Sequence, residues 1–385
     1  MAGARAPRAA RGAGARAVIV PVRGDTAGLL ERLGAVRAAG DVPLVGDERW
    51  PQAQWDAVQA IAADAELPAA AAWATLTSGS SGSPRIVLRS AESWSASFAA
   101  VGNLMDAGAD DTVLLPAPPA ASMTLFSLAH ALDGGPRPLL SPAGRSAATC
   151  LHGTPQALRA VLDAGVPPHL RAALIGGSHL DDALRARAAS AGIRVCVYYG
   201  AAELSFVAVD EGDGLRAFPG VDLRIRDGEL WVRSPYIALG YIGPGGPLRR
   251  DGDWATVGDR AELAGGRLRL LGRADDAILS ASATIVPEEV EAVLRSVPGV
   301  RDAVVFGLPE ARVGALVAAF VELDGTSGGA AARQHLRTAS VARLTLAHRP
   351  RRWYAGELPR TASGKPARAE AIRRALAGEV DRLAV

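Results

Sequence analysis

The chain has 385 residues, 49% hydrophobic and 21% charged, which is the composition of a globular protein that buries a large core. Its formal net charge is only +2 and it has no dense basic stripe, so a nucleic-acid partner is not expected. No run of 18 or more apolar residues predicts a membrane span. Cys150 and Cys196 form no metal-binding motif and are predicted to be reduced, buried thiols of a cytoplasmic protein.

The first 16 residues are basic and contain no acidic side chain. Arg5, Arg8 and Arg11 lie among alanine and glycine, and no apolar segment or cleavage pattern follows them. A targeting peptide would need such a segment, so residues 1–16 are predicted to be a disordered basic leader.

Between residues 17 and 210, short apolar runs alternate with segments of helical spacing. The alternation predicts a layered α/β domain with a largely parallel sheet, whose ligand site lies at the carboxyl ends of the strands. Strands are predicted at residues 17–22, 42–45, 73–76, 86–88, 112–115, 172–175 and 193–198. Helices are predicted at residues 26–37, 52–63, 91–104, 155–163 and 181–191.

After Gly214 the pattern changes to short strands joined by glycine-rich turns. Strands at 221–226, 229–233 and 267–271, with turns such as Asp227-Gly228, predict an antiparallel β subdomain. Past residue 273, a small α+β domain is predicted from helices at 287–296, 330–342 and 367–376 and strands at 302–307 and 316–323. We therefore predict a large domain over residues 17–274 and a small domain over residues 275–385.

A dense run of hydroxyl and glycine residues lies between two of the predicted strands. Backbone N–H groups and hydroxyls of such a loop can surround a phosphate, with an arginine adding positive charge. The run lacks the lysine of a Walker A loop, and a flexible turn is the alternative interpretation. Its residues are Thr77, Ser78, Gly79, Ser80, Ser81, Gly82, Ser83, Pro84 and Arg85.

This run resembles the TSGTTGxPK phosphate loop of the ANL superfamily, which contains acyl-CoA synthetases, nonribosomal peptide adenylation domains and luciferases. Five further motifs follow in the order of that family, so that the resemblance covers about residues 75–370. Residues 198–203 resemble the YGxTE motif, 228–241 the GEI…GY segment, 256–259 the TGD motif, 272–291 the hinge and the start of the small domain, and 358–365 the LPRTxxGK tail.

The resemblance implies an ANL fold with an ATP site on the large domain and a mobile small domain. Tyr199 would stack on adenine, Asp259 would accept the ribose hydroxyls, and Arg273 would close over the ribose. Asp275 would be the hinge between the adenylating and thioester-forming positions of the small domain. Taken alone, each of these residues would more often be a core or surface side chain.

The resemblance also implies a catalytic and metal-binding role for one carboxylate. Glu203 would hold Mg²⁺ against the phosphates, since carboxylate oxygen suits a hard cation. Gly177, Gly200, Ala201 and Ala202 would complete the nucleotide site.

Lys365 is the only lysine among the 42 basic residues of the chain. The resemblance places it in the tail motif, where the family lysine contacts the carboxylate and the α-phosphate as the adenylate forms. A mobile ammonium can follow charge that shifts during an in-line displacement, whereas a planar guanidinium cannot take the same positions. Arginine at every other basic site, including Arg85, makes Lys365 the predicted catalytic residue.

Three positions depart from the family pattern. Ala202 replaces a threonine near the α-phosphate, and Ala121 or Ser122 stands where a histidine or aromatic residue usually lines the acyl pocket. Residues 280–283 replace a Gly-Gly along the pantetheine path, which puts the second half-reaction in doubt. The N-terminal region is also short, as in some o-succinylbenzoyl-CoA ligases and small bacterial acyl-CoA synthetases, and runs 93–98 and 199–207 resemble the latter.

These features predict an AMP-forming acyl- or aryl-CoA ligase that uses ATP, Mg²⁺, coenzyme A and a carboxylic acid. An adenylating enzyme that loads an acyl carrier protein or an amine is one alternative. A catalytically degenerate binding protein of the same fold is the other. The sequence does not identify the acid.

Overall fold

The computed structural model describes residues 16–63, 65–77, 85–178, 180–243, 245–273, 278–280, 283–310, 314–324, 329–361 and 364–383. Residues 1–15 of the predicted leader, residues 78–84 of the predicted phosphate-binding run and the predicted hinge Asp275 therefore lie outside the described residues. The boundary between residues 274 and 275 falls in the same gap, so the domain division stays a prediction.

The first part of the chain alternates strands and helices as the apolar runs predict. Its elements are β1 (Ile19–Val22), α1 (Leu29–Ala38), β2 (Val42–Val45), α2 (Gln52–Ala63), β3 (Ala71–Thr77), β4 (Arg85–Ser90), α3 (Glu92–Ser95), α4 (Phe98–Met105), β5 (Thr112–Leu114), α5 (Ser122–Leu132), β6 (Arg137–Leu139), a 3₁₀ segment (Pro142–Ala147), β7 (Cys150–Gly153), α6 (Pro155–Asp163), β8 (Ala172–Ile175), α7 (Asp182–Ser190), β9 (Arg194–Ala201), β10 (Ser205–Asp210) and β11 (Arg216–Ala217).

The second part is mostly β structure and ends in a unit with three helices. Its elements are β12 (Asp222–Arg226), β13 (Glu229–Arg233), β14 (Gly240–Ile242), β15 (Arg249–Asp251), β16 (Trp254–Thr256), β17 (Asp259–Ala264), β18 (Arg267–Arg273), β19 (Ile278–Ser280), β20 (Ala283–Ile285), α8 (Pro287–Arg295), β21 (Val300–Glu310), β22 (Gly314–Leu323), α9 (Gly329–Arg343), β23 (Arg352–Ala355), α10 (Arg368–Ala377) and β24 (Asp381–Arg382).

The α/β part contains two sheets, each with parallel strands on one side and antiparallel strands on the other. One has the strand order β1-β2-β3-β4-β14, and the other has the order β11-β10-β9-β8-β7-β5-β6. β3 with β4 and β9 with β10 are antiparallel pairs. The connections of these two pairs are too short for a parallel crossover, which needs a dozen or more residues. The prediction of a largely parallel sheet is therefore correct for β1-β2-β3 and for β9-β8-β7-β5-β6, and the strand pairs beyond β3 and β9 are antiparallel.

Local signals account for the helices that the sequence located best. Thr154 caps α6 by accepting a hydrogen bond from the Ala157 N–H, and Pro155 occupies the first turn. Asp181 caps α7 in the same way through the Leu184 N–H. The helix predicted at 91–104 is instead two helices, because the Ser97 hydroxyl donates to the Trp94 carbonyl between them.

The predicted β subdomain forms a third sheet with the order β15-β16-β13-β17-β18, and β12 pairs with β13. The hairpin from β12 to β13 turns through Asp227 and Gly228, whose φ angles of 54° and 76° are those of a type I′ turn. The last unit has its own sheet, β20-β19-β22-β23-β24 with β21 beside β22, and its own buried apolar clusters. In the part of the chain that the structure describes, every helix is too short or too polar to cross a bilayer.

Candidate active site

The candidate site lies where the carboxyl ends of β8 and β9 meet a turn from the last unit of the chain. Gly176 and Gly177 directly follow β8, and the Gly176 N–H donates to the Gly153 carbonyl at the end of β7. Tyr199 to Glu203 occupy the end of β9 and the turn that follows it. The topology thus brings together motifs that are far apart in the sequence, as expected for an α/β ligand site.

Lys365 reaches this edge from the tail turn. Its Cε atom lies 2.8 Å, and its Nζ atom 3.7 Å, from the position that a Cβ atom on Gly177 would occupy. Burial lowers the pKa of Lys365, while the negative charges of Asp259 and Glu203 act on it in the opposite direction. The Lys365 side chain is therefore partly covered, packs against Gly177 and is influenced by the charge of both carboxylates, so Lys365 is not an exposed loop lysine.

The tail turn that carries Lys365 is fixed by backbone hydrogen bonds. The Thr361 N–H donates to the Lys365 carbonyl at 2.7 Å, and the Gly364 N–H donates to the Thr361 carbonyl at 2.9 Å. The Ala367 N–H closes the base of the turn by donating to the Pro359 carbonyl at 2.7 Å. The turn therefore holds its own shape before it meets the large domain.

Partly buried ion pairs attach this turn to the small sheet. Arg360 pairs with Asp302 at 2.9 Å and with Glu322 at 3.0 Å. Arg368, three residues after Lys365, pairs with Glu288 at 2.8 Å and with Glu291 at 2.9 Å. Arg360 and Arg368, on either side of Lys365 in the sequence, thus fix the backbone position of Lys365 relative to the small sheet.

Asp259 lies beside Tyr199, which donates a hydrogen bond from its hydroxyl to Asp259 Oδ2. The turn before Asp259 is anchored by Thr256, a buried residue whose hydroxyl donates to Glu229 at 2.5 Å and accepts from the Gly258 N–H at 3.1 Å. The carboxylate of Asp259 therefore faces the end of β9 at a defined position.

Glu203 is only 6% exposed and is held at both its side chain and its backbone. Tyr241 donates its hydroxyl to Glu203 Oε1 at 2.9 Å, and the Ala238 N–H donates to the Glu203 carbonyl at 2.7 Å. The described residues contain no group of three side chains that would form an all-protein metal site. A single carboxylate beside a phosphate site nevertheless fits Mg²⁺, which keeps several waters and uses one or two protein carboxylates with substrate phosphates.

The structure describes only some of the remaining predicted site residues. Thr77 ends β3 and Arg85 begins β4, so they flank the phosphate-binding run, whose residues 78–84 are outside the described part. Gly200 faces the Ser205 carbonyl oxygen, which lies 2.2 Å from the position of a Cβ atom, so only glycine fits there. The side chain of Arg273 is not described.

The structure describes two of the three departures from the family pattern. Ala202 and Ala201 are partly exposed next to Glu203, and the Ala202 carbonyl accepts a hydrogen bond from Arg89. Ala121 pairs with Leu76 by an isolated parallel bridge and precedes α5. Ser122 begins this helix, whereas residues 281–282 lie outside the described part.

Sequence reasoning missed two polar features behind the site. Arg89 is completely buried in β4, and burial lowers its pKa to about 9 while the charge of Glu203 opposes that change. Ser127, His152 and Tyr198 form a chain in which His152 Nδ1 lies 2.8 Å from Ser127 Oγ and His152 Nε2 lies 3.0 Å from Tyr198 Oη. A charged residue directly after the apolar run Ile86–Leu88 was the available signal for Arg89.

Comparison with known proteins supports the resemblance. The model of the AMP-binding enzyme family matches residues 3–242, and that of the AMP-binding enzyme C-terminal domain matches residues 289–365. The 2-succinylbenzoate–CoA ligase of Salmonella typhimurium is 32% identical over 297 residues, which are 72% of this chain and 63% of that protein. This chain thus spans less than two thirds of that relative.

A second relative matches over nearly the whole chain. The probable 2-succinylbenzoate–CoA ligase of Mycobacterium tuberculosis is 30% identical over 392 residues, covering 95% of this chain and 100% of that protein. A variant of Escherichia coli MenE with bound OSB-AMS has a TM-score of 0.81 and 24% identity, covering 94% of this chain and 88% of that one. The predicted ANL fold is therefore confirmed, and the chain belongs to the AMP-binding enzyme family of the ANL superfamily.

Proposed function

We propose that this chain is an AMP-forming acid–CoA ligase. In the first half-reaction it converts a carboxylic acid and ATP into an acyl-adenylate and pyrophosphate, and in the second it forms the acyl-CoA thioester. The observation that carries the proposal is the position of Lys365, whose Cε atom packs against Gly177 and whose pKa responds to Asp259 and Glu203. A tail lysine packed against this glycine turn and influenced by both carboxylates suits adenylate formation.

The nucleotide would bind along the end of β9. Asp259 accepts hydrogen bonds, so its carboxylate suits the two ribose hydroxyls, and its bond from Tyr199 fixes its orientation. The Tyr199 ring is partly exposed, which leaves a face for adenine. Thr77 and Arg85, at the two ends of the phosphate-binding run, would place that run against the phosphates.

Glu203 would hold the magnesium ion together with phosphate oxygens of ATP. When bound, the ion neutralises negative charge on the phosphates and on the departing pyrophosphate. The hydrogen bonds from Tyr241 and from the Ala238 N–H keep the Glu203 side chain and backbone in place. Glu203 thus presents a carboxylate that needs little reorganisation on binding.

Lys365 would act on the reacting atoms. An oxygen of the acid attacks the α-phosphorus, a new P–O bond forms, and the bond to the oxygen bridging to the β-phosphate breaks. The ammonium donates hydrogen bonds to the acid carboxylate and to the α-phosphate, where charge accumulates in the transition state. In the second half-reaction, the thiolate of coenzyme A attacks the acyl carbon, and AMP leaves.

The two half-reactions would require two positions of the small domain. The contact of Lys365 with Gly177 supports the assignment of this arrangement to adenylate formation. The thiol must reach the acyl carbon from the side that the tail turn covers, which requires the turn to withdraw. Asp275 stays the predicted hinge for that rotation.

An aromatic dicarboxylic acid is the proposed substrate class, and 2-succinylbenzoate is the first compound to test. Two relatives with at least 30% identity are named for its ligation to coenzyme A. An acyl carrier protein or an amine as acceptor, and a binding protein without turnover, are the competing assignments.

The test is acid-dependent release of pyrophosphate by the purified chain with ATP and Mg²⁺, using 2-succinylbenzoate and a panel of other acids. We expect AMP and pyrophosphate in equal amounts and, on adding coenzyme A, loss of free thiol at the same rate. Formation of ADP and phosphate would contradict the mechanism, because the attack would then not be at the α-phosphorus. Adenylation without thiol consumption would favour a carrier protein or an amine, and no turnover with any acid would favour the binding protein.

A further inference from the structure

Arg89 is the only buried arginine or lysine among the residues whose burial the structure describes. It lies in β4, four residues after Arg85, and none of its surface is exposed. A cation removed from water is costly unless hydrogen bonds and an opposite charge compensate it. The contacts of Arg89 therefore show what it holds in place.

The guanidinium of Arg89 joins two segments that border Glu203. Its Nη1 donates to the Ala202 carbonyl at 2.5 Å, and its Nη2 donates to the Tyr236 carbonyl. Ala202 directly precedes Glu203, while Tyr236 lies two residues before Ala238, whose N–H binds the Glu203 carbonyl. Arg89 thus holds the turn between β9 and β10 from inside the protein.

Glu203 also helps to compensate the positive charge of Arg89. The guanidinium stacks 5.4 Å above the Trp94 ring, and its Nε has no acceptor within the described residues. The carboxylate of Glu203, itself 6% exposed, is the negative charge that acts on Arg89. Two oppositely charged groups are thus buried in the same part of the protein, without a direct ion pair between them within the described residues.

We propose that Arg89 is a positioning residue for Glu203: it fixes the turn that carries Glu203 and offsets the charge of its carboxylate, so that the carboxylate is presented to the metal–nucleotide complex. This inference rests on the proposed function, because it takes Glu203 as the metal ligand. Arg89 itself would touch neither the metal nor the substrates, and would act through the Ala202 and Tyr236 carbonyls.

The test is a double-mutant cycle on binding, measured without turnover. Manganese affinity is determined by electron paramagnetic resonance in the presence of α,β-methylene-ATP for the wild type, Arg89→Met, Glu203→Gln and the double variant. We expect each single change to weaken manganese binding at least tenfold. If Arg89 acts through Glu203, the double variant should bind no more than about threefold more weakly than Glu203→Gln alone, because coupled residues are not additive.

Arg185→Met is the matched control. Arg185 also joins β9 to β10, since it donates to the Val195 carbonyl at 3.3 Å and to Asp210 at 2.7 Å, but it does so at the end of these strands away from Glu203. This variant should lower the thermal unfolding midpoint without changing manganese affinity. A merely structural role of Arg89 would make Arg89→Met behave in the same way.

Two results would overturn the inference. One is a folded Arg89→Met variant whose manganese affinity lies within twofold of wild type. The other is a double variant whose loss of manganese affinity equals the product of the losses in the two single variants. Should Arg89→Met not fold, Arg89→Lys decides, because a single ammonium cannot reproduce both guanidinium bonds. We expect threefold or more weaker binding for Arg89→Lys, and unchanged binding would overturn the inference. A wild-type protein that binds no manganese with the nucleotide would instead refute the proposed function, and this inference with it.

Discussion

Lys365 Cε lies 2.8 Å from the point where a Cβ atom on Gly177 would stand, which is closer than a real Cβ contact allows. Gly177 has a φ of 93°, so an alanine there would strain the backbone and also push Lys365 away. We predict that Gly177→Ala lowers acid-dependent pyrophosphate release about a hundredfold, since displacing a reacting group by about 1 Å can have that effect. The measurement is pyrophosphate release by the purified variant.

Gly165→Ala is the control for the backbone strain of that change. Gly165 has a φ of 88°, similar to that of Gly177, but nothing lies within 4 Å of its Cβ position. It should show a similar loss of stability with near wild-type turnover. Equal loss of turnover in both variants would mean that backbone strain, and not the contact with Lys365, limits Gly177→Ala.

The Lys365→Arg variant tests the only lysine of the chain. A guanidinium is wider and more rigid than an ammonium, and Lys365 Cε already packs against Gly177, so an arginine cannot reach the same positions. Adenylate formation should fall about 10²–10³-fold, the usual loss for a group that stabilises the transition state. Thioester formation from supplied acyl-adenylate should continue. A variant within threefold of wild type in adenylation would remove the proposed role of Lys365.

Asp259→Ala should weaken ATP binding about a hundredfold or more. Two charge-assisted hydrogen bonds to the ribose are each worth about 1.5–3 kcal/mol. Tyr199→Phe keeps the ring and removes only the hydroxyl that orients the carboxylate, so it should weaken ATP binding roughly fivefold, or about 1 kcal/mol. Isothermal titration with ATP measures both, and Asp213→Ala, at an exposed acid, is the control. ATP affinity of Asp259→Ala equal to that of the control would place the ribose elsewhere.

Much of the fold was predictable because its signals are local. The helices at Gln52–Ala63 and Pro155–Asp163 and the strand at Ala172–Ile175 coincide with the predicted bounds, since their signals are apolar spacing within the segment or, for Pro155–Asp163, a cap directly before it. The antiparallel pairing of β9 with β10 was missed, because it depends on a three-residue turn inside the YGxTE-like motif.

The site was predictable only where motifs mark it. Tyr199, Glu203, Asp259 and Lys365 were identified from motifs, and the structure brings them together through sheet topology that the sequence does not display. Arg89 and His152 carry no motif. Their importance comes from burial and from partners between 25 and 147 residues away, which only the folded chain reveals.

His152 makes stability depend on pH. Burial, and then the charge of His130, lower the pKa of His152 to about 3, whereas a histidine in the unfolded chain has a pKa of about 6.5. The unfolded state therefore binds a proton below about pH 6.5 that the folded state does not bind until about pH 3. The neutral His152 therefore makes its full contribution to the free energy of unfolding above pH 6.5. Between about pH 6.5 and pH 3, that contribution falls by about 1.4 kcal/mol for each unit by which the pH is lowered.

His152→Gln should remove that dependence while retaining a polar side chain between Ser127 and Tyr198. Between pH 7 and pH 5, the free energy of unfolding of the variant should fall by about 2 kcal/mol less than that of the wild type. Urea unfolding at the two pH values measures the difference. Phe218→Leu, a buried change that removes no titrating group, should lower stability by a similar amount at both. If His152→Gln lost as much stability on acidification as the wild type, His152 would have to bind its proton in the folded state as readily as in the unfolded chain.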